Sequence, residues 1–93
     1  MKLTDYIAEF LASEGITHTF GLTGGAVVHF FDSIEKHPKL TPIFGHHEQT
    51  GSFAAEAYAR ITNNLGACFV TTGPGGTNAI TGLCAAWLDS IPC

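Results

Sequence analysis

Positive charge is what this sequence has least of: four Lys and Arg stand against eight Asp and Glu, a net charge of −4 with the histidines neutral. No basic field exists to hold a phosphate backbone or an anionic membrane surface, which argues against nucleic acid as a partner. Charged residues make up only 13% of the chain, whereas 45% is hydrophobic and 11% aromatic, and this balance excludes a disordered, collagen-like or coiled-coil chain. No apolar run approaches the roughly 18 residues needed to cross a bilayer, so no membrane is expected. Three cysteines occur, Cys68, Cys84 and Cys93, an odd number with no CxxC pair, and the opening Met1-Lys2-Leu3-Thr4-Asp5 is no secretory leader. A reduced, cytoplasmic compartment is the expectation. Repeats, low-complexity tracts and linkers are also lacking, and 93 residues make one domain at most.

What is present is a hydrophobic period that changes from segment to segment. Leu3, Ile7, Phe10 and Leu11 recur at helical spacing and Gly15 follows as a stop, which predicts a helix over about residues 3 to 14. Residues 16 to 22 read as a strand, and after Thr23-Gly24-Gly25 the set Val27, Phe30, Phe31 and Ile34 reads as a second helix ended by Lys36-His37-Pro38. A short strand near Thr41 to Gly45 leads into a third helix from about Glu48, with Asn63-Asn64 after it. Gly66 to Thr72 is the most strand-like stretch, and its apolar run predicts a central parallel strand covered on both faces. Gly73-Pro74-Gly75-Gly76 is expected to turn the chain into a fourth helix with a wide apolar stripe of Ile80, Leu83, Cys84, Trp87 and Leu88. Ile91-Pro92-Cys93 reads as the start of another strand, and the chain as the front of a longer domain. Alternating helix and strand predict an α/β fold: a doubly wound, mainly parallel sheet with helices on both faces, here truncated.

In such sheets ligands bind beyond the carboxyl ends of the strands. Three strand-to-helix junctions would lie there: Gly21 to Gly25, Gly45 to Gln49, and Thr72 to Asn78. Glycines followed by helix N-termini fit phosphate binding, yet neither glycine loop is a Walker A sequence or GxGxxG, and each is equally readable as a tight turn. Glu48 opens a helix at the mouth of the sheet, where a carboxyl can exchange a proton or simply complement the helix dipole. Burial would raise its pKa and the helix N-terminus would lower it. His46 and His47 are too close to Glu48 for a metal triad and no HExxH occurs, so no metal site is expected. Without GxSxG, Ser52 and Ser90 read as surface or capping residues. Cys84 and Trp87 read as core or interface, Arg60 as a helix-surface or ion-pairing residue, and His29 faces either the loop edge or solvent.

Five motifs in order, Phe20-Gly-Leu-Thr-Gly-Gly25, His47-Glu-Gln49, Ala55-Glu-Ala-Tyr-Ala-Arg60, Thr72-Gly-Pro-Gly-Gly-Thr-Asn78 and Ala86-Trp-Leu-Asp-Ser-Ile-Pro92, cover almost the whole chain. Together they resemble the N-terminal pyrimidine-binding domain of thiamine-diphosphate-dependent enzymes of the acetolactate synthase group. The resemblance implies that residues 1–93 are part of such a domain, and that Glu48 hydrogen-bonds N1′ of the cofactor's aminopyrimidine and promotes the imino tautomer that takes the thiazolium C2 proton. It places Gly24 and Gly25 at the reacting centre, Gly73, Pro74 and Asn78 beside the pyrimidine, and Thr23, His47 and Gln49 toward a 2-oxo acid substrate.

It further implies Mg²⁺ and diphosphate held by a separate domain carrying Gly-Asp-Gly, FAD as a possible second cofactor of the longer protein, and a homodimer or tetramer whose site is shared between subunits. A 93-residue piece alone is then expected to be inactive. Thr23 stands where the synthases usually have proline, His46 where they commonly have arginine, and Gly51-Ser52 where they have a small apolar pair. Those departures admit a relative acting on another 2-oxo acid or a sugar-derived substrate. Two other readings compete: a non-catalytic interaction module or gene remnant docking through its sheet edge and Trp87 helix, and a flavodoxin-like nucleotide binder.

Overall fold

A computed structural model describes residues 1–93. Helix α1 (Leu3–Ser13) ends where Gly15 adopts φ +86°. The Gly15 amide donates to Ala12 and the Ile16 amide to Leu11, both bonds of a Schellman cap, with Ile16 and Leu11 buried together as that cap's hydrophobic contact. The chain then enters β1 (His18–Gly21), passes through a 3-10 turn (Gly25–Val27) into α2 (Val28–Lys36), and continues as β2 (Thr41–Phe44), α3 (Glu48–Thr62), β3 (Cys68–Phe69) and α4 (Pro74–Leu88). Asn63, in the left-handed conformation at φ 53°, closes α3.

The three strands form an all-parallel sheet in the order β2-β1-β3, with His18 opposite Thr41 and Phe20 opposite Cys68. The chain therefore moves from β1 to one neighbour and then crosses to the other. Right-handed crossovers taken in opposite directions put their helices on opposite faces, and the contacts agree. On one face α1 and α2 enclose Ala8, Leu11, Ile16, Ile34 and Leu40, with Phe31 tilted against Phe44 and edge-on to Phe69. On the other, Tyr58 of α3 meets Phe20 edge-on at 5.8 Å between ring centroids. Gly51 of α3 comes so close to the sheet that a methyl group there would lie 3.3 Å from Gly21 Cα and 3.1 Å from Cys68 Sγ. Helix α4 packs beside α3 on that second face through Ala79, Gly82 and Ala86, all buried.

The α/β architecture with a parallel sheet is as expected, but four details differ. The central strand is β1, and β3 is an edge strand reduced to two bridged residues. Its bonds to β1 begin with Phe20 N to Ala67 O and end with Leu22 N to Phe69 O, and it loses its partner where β1 turns away at Leu22. Gly75 and Gly76 do not turn the chain: α4 begins at Pro74, a residue suited to the first helical position, and Gly73 at φ +68° makes the turn. Ile91 to Cys93 form no strand, although the Gly66 amide bonds Pro92 O beside β3. Lastly, the apolar stripe of α4 faces outward: Ile80, Leu83, Trp87 and Leu88 are exposed, Trp87 to 84%, because small residues occupy the side that meets α3.

Candidate functional site

All strands point the same way, so the loops after β1, β2 and β3 gather at one edge. Thr71 ties the first to the third: its Oγ1 accepts from the Ala26 amide at 3.3 Å. A methyl group on Gly24 would lie 2.4 Å from Thr71 Cβ, so only glycine lets these loops meet. Gly75 touches the same threonine, where a methyl would lie 2.8 Å from Thr71 Cγ2 and 3.6 Å from Glu48 Oε2.

Glu48 is the first residue of α3 and is half-buried. Its Oε1 accepts a hydrogen bond from Asn78 Nδ2 at 3.1 Å, joining the first turn of α3 to the second turn of α4. The helix N-terminus wins the contest over its proton: the bond from its own backbone amide, and then the Asn78 amide, hold the Glu48 carboxyl below its ordinary pKa against partial desolvation, with His47 adding a small pull in the same direction. The result is an anionic acceptor at the carboxyl end of a parallel sheet. His47 caps α3, its Nδ1 accepting from the Gln49 amide at 3.0 Å, which leaves Nε2–H of the neutral ring to point elsewhere. The Gln49 carbonyl accepts from Ser52 Oγ at 3.0 Å.

Glu48, Asn78 and Gly24 thus converge, with Gly75 and Thr71 between them. Thr71 is the residue that sequence reasoning missed; it falls in the stretch read as a strand, one residue before the third strand-to-helix junction, and that neighbourhood was the available signal. Gly25, Gly73, Pro74, Thr23, His47 and Gln49 are exposed around the rim, and a methyl added at Gly25 or Gly73 would meet nothing within 4 Å. Ser52 is no surface residue; it is 1% exposed, wedged against Gly82. Arg60 is the ion-pairing residue expected, bonded to Glu56 and Asp89. His29 lies on the solvent side of α2. Burial, with smaller contributions from Cys93 and Glu48, pushes the Cys68 thiol up to about 11, so it stays protonated near neutral pH. No three His, Cys, Asp or Glu side chains converge on a metal position, and no helix is long and apolar enough to cross a membrane.

A family described as thiamine pyrophosphate enzyme, N-terminal TPP binding domain, matches residues 1–93. The chain belongs to this family. It is 42% identical over 88 residues to the acetolactate synthase large subunit of Buchnera aphidicola subsp. Schizaphis graminum, covering 95% of this chain and 15% of that protein. It is 42% identical over 91 residues to the chloroplastic acetolactate synthase 2 of Nicotiana tabacum, covering 98% of this chain and 14% of the relative. The large subunit from Haemophilus influenzae is 41% identical over 88 residues, again 95% of this chain and 15% of that protein. The chain therefore spans about 15% of the length of the relatives it matches.

The site residues fit the ring half of the cofactor this family is named for. An ionised carboxylate suits a nitrogen donor of a heterocycle, and the bare Cα of Gly75 leaves space beside Oε2. The diphosphate half finds no cationic partner. The four cations, Lys2, Lys36, Lys39 and Arg60, lie away from Glu48: Lys2 and Lys36 pair with Asp32 between α1 and α2, Lys39 precedes β2, and Arg60 lies in the last turn of α3.

Proposed function

We propose that this chain forms the aminopyrimidine side of a thiamine diphosphate site in an enzyme that decarboxylates or joins 2-oxo acids, in the manner of an acetolactate synthase, and that Glu48 is its proton-handling carboxylate. The observation that carries the reading is the placement of Glu48: an anionic carboxylate at the first residue of a helix, at the carboxyl edge of the sheet, fixed by Asn78 and flanked by Gly75. When bound, thiamine diphosphate supplies the electron sink for breaking the bond between the carboxyl and carbonyl carbons of the substrate. The chain's own residues bind and orient. Glu48 accepts from a ring nitrogen and exchanges a proton there, Asn78 fixes which carboxylate oxygen is free, and Gly24, Gly25 and Gly75 let the ring come close to the backbone. Gly73 and Pro74 shape the start of α4, while Thr23, His47 and Gln49 line the rim on the substrate side. Mg²⁺ and the diphosphate are held outside these residues, by another domain of the working homo-oligomer, and any FAD belongs there too.

The test is Glu48→Gln in the complete enzyme. Glutamine keeps the shape and the Asn78 contact but cannot take a proton, so turnover should fall by about 10²- to 10⁴-fold with folding unchanged. Unaltered turnover would remove Glu48 from the chemistry. A second reading, a non-catalytic docking module, draws on the exposed face of Ile80, Leu83, Trp87 and Leu88. It predicts the reverse pattern, with Glu48→Gln silent and Trp87→Ala abolishing association.

A further inference from the structure

Helices α3 and α4 run side by side from the same edge of the sheet, and their contacts keep a constant offset. Glu48 meets Asn78, 30 residues on. One turn deeper on each helix Ser52 meets Gly82 at the same spacing, and a methyl group on Gly82 would lie 2.0 Å from Ser52 Oγ, 2.6 Å from Ser52 Cβ and 3.0 Å from the Phe53 amide nitrogen. Two turns further on, Arg60 bonds both the buried Glu56 on its own helix and Asp89 at the end of α4. The pair is therefore tied at both ends and pressed together in the middle at a point where α4 cannot carry one more carbon. The separation of the helices is fixed by that missing carbon, and the reach from Asn78 to Glu48 follows from the separation.

We propose that Asn78 is a positioning residue for the Glu48 carboxylate, and that the Gly82–Ser52 contact sets the length of the bond between them. The inference rests on the reading of Glu48 as the cofactor's carboxylate. An amide is the donor that suits such a role. It holds Oε1 in place without bringing a compensating positive charge, so Glu48 keeps its full negative charge for the ligand on Oε2. Gly82 contacts nothing at the site, and its influence travels through one turn of packed helix.

The experiment follows the Glu48 side-chain carboxyl resonance of the 93-residue chain through an acid titration, without cofactor. The other ionisable groups near it, His46 and His47 in its own loop and Cys68 on β3, are the same in every variant. Asn78→Ala should shift the Glu48 titration upward, and the isosteric Asn78→Asp should shift it further by placing a second carboxylate at the same point. Gly82→Ala should shift it in the same direction as Asn78→Ala, although residue 82 does not touch Glu48. Ser52→Gly combined with Gly82→Ala should bring the titration back toward the original, because it removes the 2.0 Å and 2.6 Å contacts and leaves only the 3.0 Å approach to the Phe53 amide nitrogen. A Glu48 titration unchanged in Asn78→Ala and Asn78→Asp overturns the proposal, and so does a double variant that titrates like Gly82→Ala. Should Gly82→Ala fail to fold, recovery of folding and of a titration near the original in the double variant supports it, and their absence counts against it. The two failures are separable. Normal turnover of Glu48→Gln removes the cofactor role and leaves these titrations standing, whereas insensitive titrations remove the positioning role and leave the Glu48→Gln loss intact.

Discussion

On the α1–α2 face of the sheet most of the buried residues are branched and large, Leu11, Ile16, Phe31, Ile34 and Leu40 beside the small Ala8 and Ser33; on the α3–α4 face, Glu56 apart, the helices bury Gly51, Ser52, Ala55, Ala59, Gly75, Ala79, Gly82 and Ala86. The first face is stabilised by area removed from water, at about 25 cal/mol per Å², and its side chains can repack when one changes. The second buries little side-chain area per residue and brings backbones close, so it fixes distance instead. Glu48, the carboxylate proposed to handle the proton, sits on the second. Position is what a proton-handling group needs, and a contact without side chains to rearrange holds position best.

The comparison breaks most easily at Ile34, 1% exposed in the first core. Ile34→Ala should cost about 2–5 kcal/mol in denaturant unfolding, and a loss under 1 kcal/mol, on the order of a surface change, would mean that this face is not closed. Gly82→Ala is the sharper test of the other face. Alanine is the better helix former by about 1 kcal/mol, yet the added methyl must displace Ser52, so a net loss of about 1–3 kcal/mol is expected. Ile34→Val, which removes one methyl from the first core, should cost less, about 0.5–1.5 kcal/mol. A Gly82→Ala chain that melts higher than wild type ends the argument about distance.

Acid adds a smaller effect that also divides by face. Asp5 is held below its ordinary pKa first by the Ser33 hydroxyl between α1 and α2, and Glu48 first by its own amide and then by Asn78. Depressed carboxyl pKa values mean that the unfolded chain binds more protons. The stability they contribute is complete above the unfolded values and is lost as pH falls through the folded ones, below about pH 5. Thermal melts against pH should show Ser33→Ala losing only part of the Asp5 share, since Lys2 also holds that carboxyl down, and Asn78→Ala only part of the Glu48 share; melting points independent of pH in that range would contradict both. Least of all, Trp87→Gln on the outward side of α4 should change stability by no more than about 0.5 kcal/mol, measured by the same melts.

Much of this was legible in the residues. The Gly15 stop, the start of α3 at Glu48 and its end at Asn63-Asn64 were readable because caps and hydrophobic period are local. The parallel sheet followed from alternation of elements. Reading failed where a long-range partner decided the outcome. β3 looked central because Ala67 to Val70 are apolar, yet how much of a strand is bridged depends on how far its neighbour runs beside it, and β1 leaves at Leu22. Cys84 and Trp87, on the apolar stripe of α4, read as core or interface; the core alternative fails, because the buried side of that helix is marked by the small residues that α3 requires. Ser52 reads as a surface or capping residue and Thr71 as part of a strand until the residues facing them are placed.

By itself, then, the sequence determined the class of fold, the order of its elements, the family, and Glu48 as the carboxylate at the mouth of the sheet, because motifs and periods are properties of neighbouring positions. Only the tertiary structure decided which donor holds that carboxylate, that Gly24 meets Thr71, and that Gly82 and Ser52 set the spacing of α3 and α4. Those are contacts across some 30 to 50 residues of chain, made by atoms as small as an absent Cβ, and their closeness is fixed only when both faces of the sheet have been packed.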